Sequence, residues 1–161
     1  MSSYDERFLK VAGEKPEMAP PVANYVPAVR TGNLVFCSGM GPYKNGAYHY
    51  LGKTGHEVTL DEAYKSARLC GINCLTAIRS VIGSLDKVRR VVLLHGYINS
   101  ASSFREQPAV LNGASDLMVE IFGDQGRHAR AAVGISNLAF DISVEVEMIV
   151  EISADREKGG E

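Results

Sequence analysis

The chain has 161 residues, 45% of them hydrophobic, enough for one domain with an ordinary core and no second one. Its 17 basic and 19 acidic residues are scattered rather than striped and leave a net charge of −2, which speaks against nucleic acid as the main partner. No basic start leads into an apolar run, and no stretch approaches the roughly 18 apolar residues of a membrane span, so a soluble, cytoplasmic protein is expected.

Residues 1–21 read as an N-terminal extension, with one or two helical turns around Phe8, Leu9 and Val11 before Pro16, Pro20 and Pro21 stop any helix. Asn24 to Arg30 is a short strand that Pro27 keeps at an edge. Thr31-Gly32-Asn33 turns it into a buried strand from Leu34 to Ser38, so a hairpin opens the fold. Tyr43 to Val58, rich in glycine, asparagine and tyrosine, is a long irregular connection of the kind that borders sites.

Thr59 and Glu62 form a capping box, and the helix they start runs to about Ile82. Its stripe is Ala63, Ala67, Cys70, Cys74, Ile78 and Val81. Val88 to Ile98, apolar on both faces toward its middle, is a central strand. Pro108 opens a second helix ending at Phe122, with Leu111, Ala114, Leu117, Met118 and Ile121 on one side and Gly123 as its stop.

The last stretch, Gly126 to Ile152, reads as two alternating strands closed by a turn near Asn137 to Asp141. Val144, Val146, Met148, Val150 and Ile152 share one face, with Glu145, Glu147 and Glu151 opposite. In the first strand Ala131, Val133 and Ile135 are set against Arg130, Ala132 and Gly134. As antiparallel neighbours the two strands would bring Arg130 beside Glu145 on a face the helices leave bare, and such a face points to an interface between subunits with a cleft in it. Without further context that pair is an ordinary cross-strand ion pair.

Three cysteines, Cys37, Cys70 and Cys74, are read as reduced thiols, the last two as small core residues. The four histidines offer no spacing that completes a metal site with them, so no metal is expected. Cys37 as a nucleophile lacks a helix N-terminus to lower its thiol pKa, and neither His95 nor His128 has an evident partner.

In Tyr25, the run Thr31 to Gly39 (TGNLVFCSG), Ile82 to Val88 (IGSLDKV), Asn112, Ala129 to Val133 (ARAAV) and Val144 to Glu147 (VEVE), the chain resembles the YjgF or Rid family of enamine/imine deaminases, also called endoribonuclease L-PSP-like. The resemblance spans about 22–152. It implies a chorismate-mutase-like α+β fold, ββαβαββ, with helices on one face of a mixed sheet, and a homotrimer whose sheets form a central barrel. The family-like domain is then 22–153, and 154–161 is a polar tail.

It further implies that Arg130 binds the carboxylate of a 2-imino acid, that Glu145 holds the attacking water, that Tyr25 closes the pocket and Asn112 frames it, and that Ser38 and Gly39 offer backbone groups. The expected reaction is hydrolysis of 2-aminoacrylate-type imines to 2-oxo acids and ammonia without a cofactor. Non-catalytic binding of a small carboxylate and RNA cleavage are the alternatives. The chain departs from the usual pattern at Ala23-Asn24-Tyr25-Val26-Pro27, at Met40-Gly41-Pro42 and at Leu138-Ala139, all on the pocket rim.

Overall fold

The alternation from Val144 to Ile152 becomes the middle strand of the protein. In the computed structural model, which describes residues 2–154, Val144, Val146, Met148, Val150 and Ile152 are between 0 and 2% exposed. Glu145, Glu147, Ile149 and Glu151 lie half-buried on the other face.

In chain order the elements are α1 (Tyr4–Ala12), β1 (Ala28–Thr31), β2 (Leu34–Met40), β3 (Tyr43–Lys44), β4 (Ala47–Tyr48), α2 (Leu60–Ile82), β5 (Val88–Asn99), α3 (Gln107–Phe122), β6 (Ala129–Ile135) and β7 (Val144–Ile152). The main sheet has the order β1-β2-β7-β5-β6. Only the β5–β6 pairing is parallel, so β2, β5 and β6 share one direction and β1 and β7 run against them. The helices follow the strands they must cross over: α2 carries the chain from the β2 side to β5, and α3 carries it from β5 to β6. Helices therefore cover one face of a mixed sheet.

Both long helices form where local chemistry places them. Thr59 Oγ1 accepts from the Glu62 N–H, and the Glu62 carboxylate accepts in return from the Thr59 N–H, which satisfies two otherwise orphaned donors of α2. Pro108 sits in the first turn of α3, where its missing N–H costs nothing. Leu111, Ala114, Leu117, Met118 and Ile121 are all fully buried, as their spacing predicts. In α2 the stripe is shifted slightly: Ile82 is buried and Val81 is exposed, because the last turn rotates Val81 off the sheet. The N-terminal helix is capped by Ser3 and Glu6, with Asp86 Oδ1 accepting from the Tyr4 N–H at 2.7 Å, and it seats Phe8, 0% exposed, in the same core. Residues 155–161, and so nearly all of the expected tail, lie outside the described residues.

Two expectations fail at the sheet. The stretch from Tyr43 to Val58 is not wholly irregular, since β3 and β4 form a small hairpin of their own. More consequentially, β6 and β7 are not a hairpin: β5 lies between them. The chain from Ser136 to Ser143 passes over the end of β5 instead, and Asn99 holds it there. The Asn99 N–H donates to the Ser143 carbonyl at 2.9 Å, and its buried side-chain amide donates to the carbonyls of Ile142 (3.2 Å) and Gly52 (3.4 Å). Its amide oxygen accepts from Lys53 Nζ at 3.0 Å, and the same Nζ donates to the Ser136 carbonyl.

Register then decides which residues share a face. Tyr97 is level with Val133 on one side and Glu145 on the other, and His95 with Ala131 and Glu147. Val133, expected under the helices, is 44% exposed on the bare face, while Ala132 packs toward the core. One row, Val29, Phe36, Ile149, Leu93 and Ala129, crosses all five strands on that bare face. Phe36 is 41% exposed and Val29 52%.

Candidate active site

Four of the residues singled out in the sequence come together at one end of the bare face. Tyr25, Ser38, Gly39 and Glu145 line a cavity of about 410 Å³ with Val22, Gly41, Tyr48, Ala139, Phe140 and Ile142. Glu145 is the second residue of β7, and its side chain reaches Gly39 of β2, in the stretch where the register between the two strands shifts. A Cβ at Gly39 would stand 2.2 Å from Glu145 Oε1, so any larger residue there would push the carboxylate out of its present position. Burial, reinforced by the charge of Glu147, pushes the Glu145 carboxyl above its ordinary value of 4.5. A carboxyl so raised is a better proton acceptor than a solvated one.

Ser38 acts through the loop before β1. Its hydroxyl donates to the Val26 carbonyl at 2.7 Å and its N–H to the Pro27 carbonyl at 2.8 Å, which pins the Tyr25 segment over the cavity. Tyr25 remains 47% exposed at the rim. On the other wall Tyr48 meets Tyr43 edge-on (5.3 Å between ring centroids) and stacks on Phe140 (5.1 Å, 17° between planes). Burial first, then Tyr25 and Glu145 nearby, raises the Tyr48 phenol above 10.0.

Arg130 is not beside Glu145. The intervening β5 sets the two strands apart by two spacings, about 10 Å, and Arg130 stands level with Leu94 and Met148 on the helix-covered side of the sheet. The expected cross-strand pair is thereby overturned. Arg130 turns instead along α3: Nη1 donates to Asn112 Oδ1 at 2.8 Å and to Ser115 Oγ at 3.0 Å, and Nη2 donates to the Pro108 carbonyl at 3.2 Å. Nε has no hydrogen-bond partner among the described residues, so one edge of a braced guanidinium remains available. Asn112, expected to frame the pocket, contacts Arg130 directly and does not line the Glu145 cavity.

Behind this arginine stands a group the sequence did not reveal. His128 Nδ1 donates to the Gly126 carbonyl at 2.6 Å, which leaves Nε2 to accept from the Ser115 hydroxyl at 2.9 Å. Burial, with Arg130 nearby, holds the His128 pKa below 6.5 despite that carbonyl. His95 also has a partner after all: its Nδ1 donates to Glu147 Oε1 at 2.9 Å, and Tyr97 OH donates to the same oxygen at 2.7 Å. Burial alone would raise Glu147, but these two donors outweigh it and hold the carboxyl below 4.5. The same bond, with burial, pushes Tyr97 up to about 12. Glu147 is therefore held in place by two donors on the open face of the sheet. No local pattern signals these pairs, because each joins residues brought level by sheet register or helix packing. Cys37 is 6% exposed with its Sγ turned to the Ser38 and Cys74 carbonyls, so it offers no nucleophile to the cavity. Burial pushes the Cys70 and Cys74 thiols well up.

A mixed sheet covered on one face, with a raised carboxyl in one pocket and a braced arginine at the far edge, defines an α+β protein that holds these two groups apart. The family described as "YjgF/chorismate_mutase-like, putative endoribonuclease" matches residues 5–151, and the chain belongs to that YjgF family. It is 40% identical over 139 residues to Protein TCP17 of Trypanosoma cruzi, with 86% of this chain and 87% of that protein covered. Among solved structures it is similar to Atu1372 of Agrobacterium tumefaciens (39% identity, 94% of each chain, TM-score 0.84). It is also similar to a Shewanella oneidensis protein titled "putative endoribonuclease" (31% identity, 94% of this chain and 100% of that one, TM-score 0.89). No helix among the described residues is long and apolar enough to cross a membrane.

Proposed function

We propose that the protein hydrolyses reactive 2-imino acids of the 2-aminoacrylate type to 2-oxo acids and ammonia, in clefts formed between copies of the chain. The observation that carries this reading is the division of the site. A guanidinium edge suited to a carboxylate and a raised carboxyl suited to water lie too far apart in one chain to act on one small molecule. A second copy that docks its Arg130 edge against the Glu145 cavity supplies both to the same ligand, and a homotrimer closes that contact without a free end.

In such a cleft Arg130 holds the substrate carboxylate, and Asn112 and Ser115 fix the direction of its fork. Glu145 accepts a proton from water as the oxygen adds to the iminium carbon. The tetrahedral adduct then expels its nitrogen as ammonia, the C=N bond is replaced by C=O, and no electron is gained or lost. No cofactor enters, because a protonated imine is already electrophilic.

The test is ammonia release from 2-aminoacrylate generated in a coupled assay. Arg130→Ala abolishes acceleration. Glu145→Gln leaves binding of pyruvate in place and slows turnover about 10²-fold or more. Native protein that gives no acceleration over spontaneous hydrolysis sinks the enzyme reading and leaves a carboxylate-binding assembly. Cleavage of RNA that disappears in Arg130→Ala would instead support the endoribonuclease reading carried by the family's description.

A further inference from the structure

The wall of the Glu145 cavity is apolar and aromatic in a way that hydrolysis of a small imine does not require. Of the nine large hydrophobic residues exposed among those described, three line this one cavity: Val22 at 66%, Tyr25 at 47% and Phe140 at 55%. Phe140 is also the outer rung of a ring ladder that runs from Tyr43 through Tyr48. Its backbone has φ 59° and ψ 15°, a left-handed conformation that bulky side chains avoid, and Asp141 beside it has φ 55°.

That turn is held by the loop after β4, where the Gly52 N–H donates to the Asp141 carbonyl at 2.7 Å and Leu51 bridges Ile142. The fold therefore maintains a strained backbone whose visible result is a phenyl ring laid on Tyr48 at the mouth of the cavity. A ring in that position offers a flat apolar surface to a ligand and no hydrogen bond.

We infer that the cleft selects 2-imino acids, and the corresponding 2-oxo acids, with an aromatic side chain, and that Phe140 on Tyr48 is the seat for that ring. The inference rests on the deaminase reading for the reacting end of the ligand. It adds the side chain that the cavity accepts. With the imine carbon at Glu145, the substrate ring lies along the wall formed by Tyr48 and Phe140, toward Tyr25 and Val22.

Calorimetric titration of the native protein with phenylpyruvate and with pyruvate measures the preference directly. Phenylpyruvate is expected to bind at least about tenfold more tightly, the low end of what one well-placed apolar group contributes to discrimination. The variant Phe140→Gly removes the ring at a position whose backbone angles glycine takes without strain, and it is expected to reduce the ratio to within about threefold of unity. Equal affinities in the native protein overturn the inference, as does a preference that survives Phe140→Gly. Turnover separates the two readings, with imines of phenylalanine and alanine generated in place by an amino-acid oxidase. Acceleration of both without preference overturns the aromatic seat alone. Selective binding with no acceleration of either imine supports the seat and overturns the deaminase chemistry. Binding of neither oxo acid overturns both.

Discussion

Glu145 and Glu147 stand two residues apart on one face of β7, yet their surroundings push their carboxyls in opposite directions. Glu145 has no hydrogen-bond donor among the described residues and is raised by burial and by Glu147, whereas Glu147 has His95 and Tyr97. The consequence for pH is specific. If ionised Glu145 is the base, turnover falls on the acid side through a pKa above 4.5, and Glu147→Gln, by removing the repelling charge, moves that limb to lower pH. A pH–rate profile unchanged by Glu147→Gln counts against Glu145 as the titrating group. Stability follows the same signs. Glu147, lowered in the fold, contributes stabilisation that is present above 4.5 and lost as pH falls through its folded value; Glu145, raised in the fold, costs stability once ionised and ceases to do so in acid. At the other half-site, Ser115→Ala removes one of the contacts that aim Arg130. We expect KM to rise about fivefold with kcat nearly unchanged, since a carboxylate anchor serves ground state and transition state alike.

The element that departs most from its sequence pattern is the connection between β6 and β7. Two alternating strands with a short polar link are the ordinary signature of a hairpin. Here the link crosses β5, and the residue that makes the crossing possible is Asn99, 1% exposed, at the end of β5 itself. Its amide N–H group donates to carbonyls of two segments, at Gly52 and Ile142, and its oxygen receives Lys53 from the first of them. Asn99→Ala leaves those groups buried without partners and is expected to cost about 2–3 kcal/mol of stability by urea denaturation. A loss under about 0.5 kcal/mol would mean that water replaces the amide without difficulty. The same turn carries Phe140, so loosening it is also expected to disturb the cavity wall.

At the scale of the whole molecule, a five-stranded sheet shows one face to α2 and α3 and leaves the other with Val29, Phe36, Leu93, Ile149 and Val133 around a polar cluster of His95, Tyr97 and Glu147. Apolar sheet surface of this extent is stable in water when another chain covers it. Sedimentation is expected to show a stable oligomer, and Phe36→Glu, which places a charge in the apolar row, is expected to give monomers that have lost turnover. A native monomer that retains full activity would remove the two-copy cleft.

Helices α2 and α3, the capping box of α2, the buried face of β7, the opening hairpin and the family were legible in the sequence, because each rests on local periodicity, capping chemistry or a contiguous motif. The family resemblance singled out Tyr25, Ser38, Gly39 and Glu145, and these four line one cavity. Long-range packing is what sets β5 between Arg130 and Glu145, turns Val133 to the open face, and lets His128 support Arg130 through Ser115 while His95 and Tyr97 hold Glu147. Strand order and register are set by which distant segments bury the most apolar surface together, and alternation within one strand is the same whichever neighbour it takes.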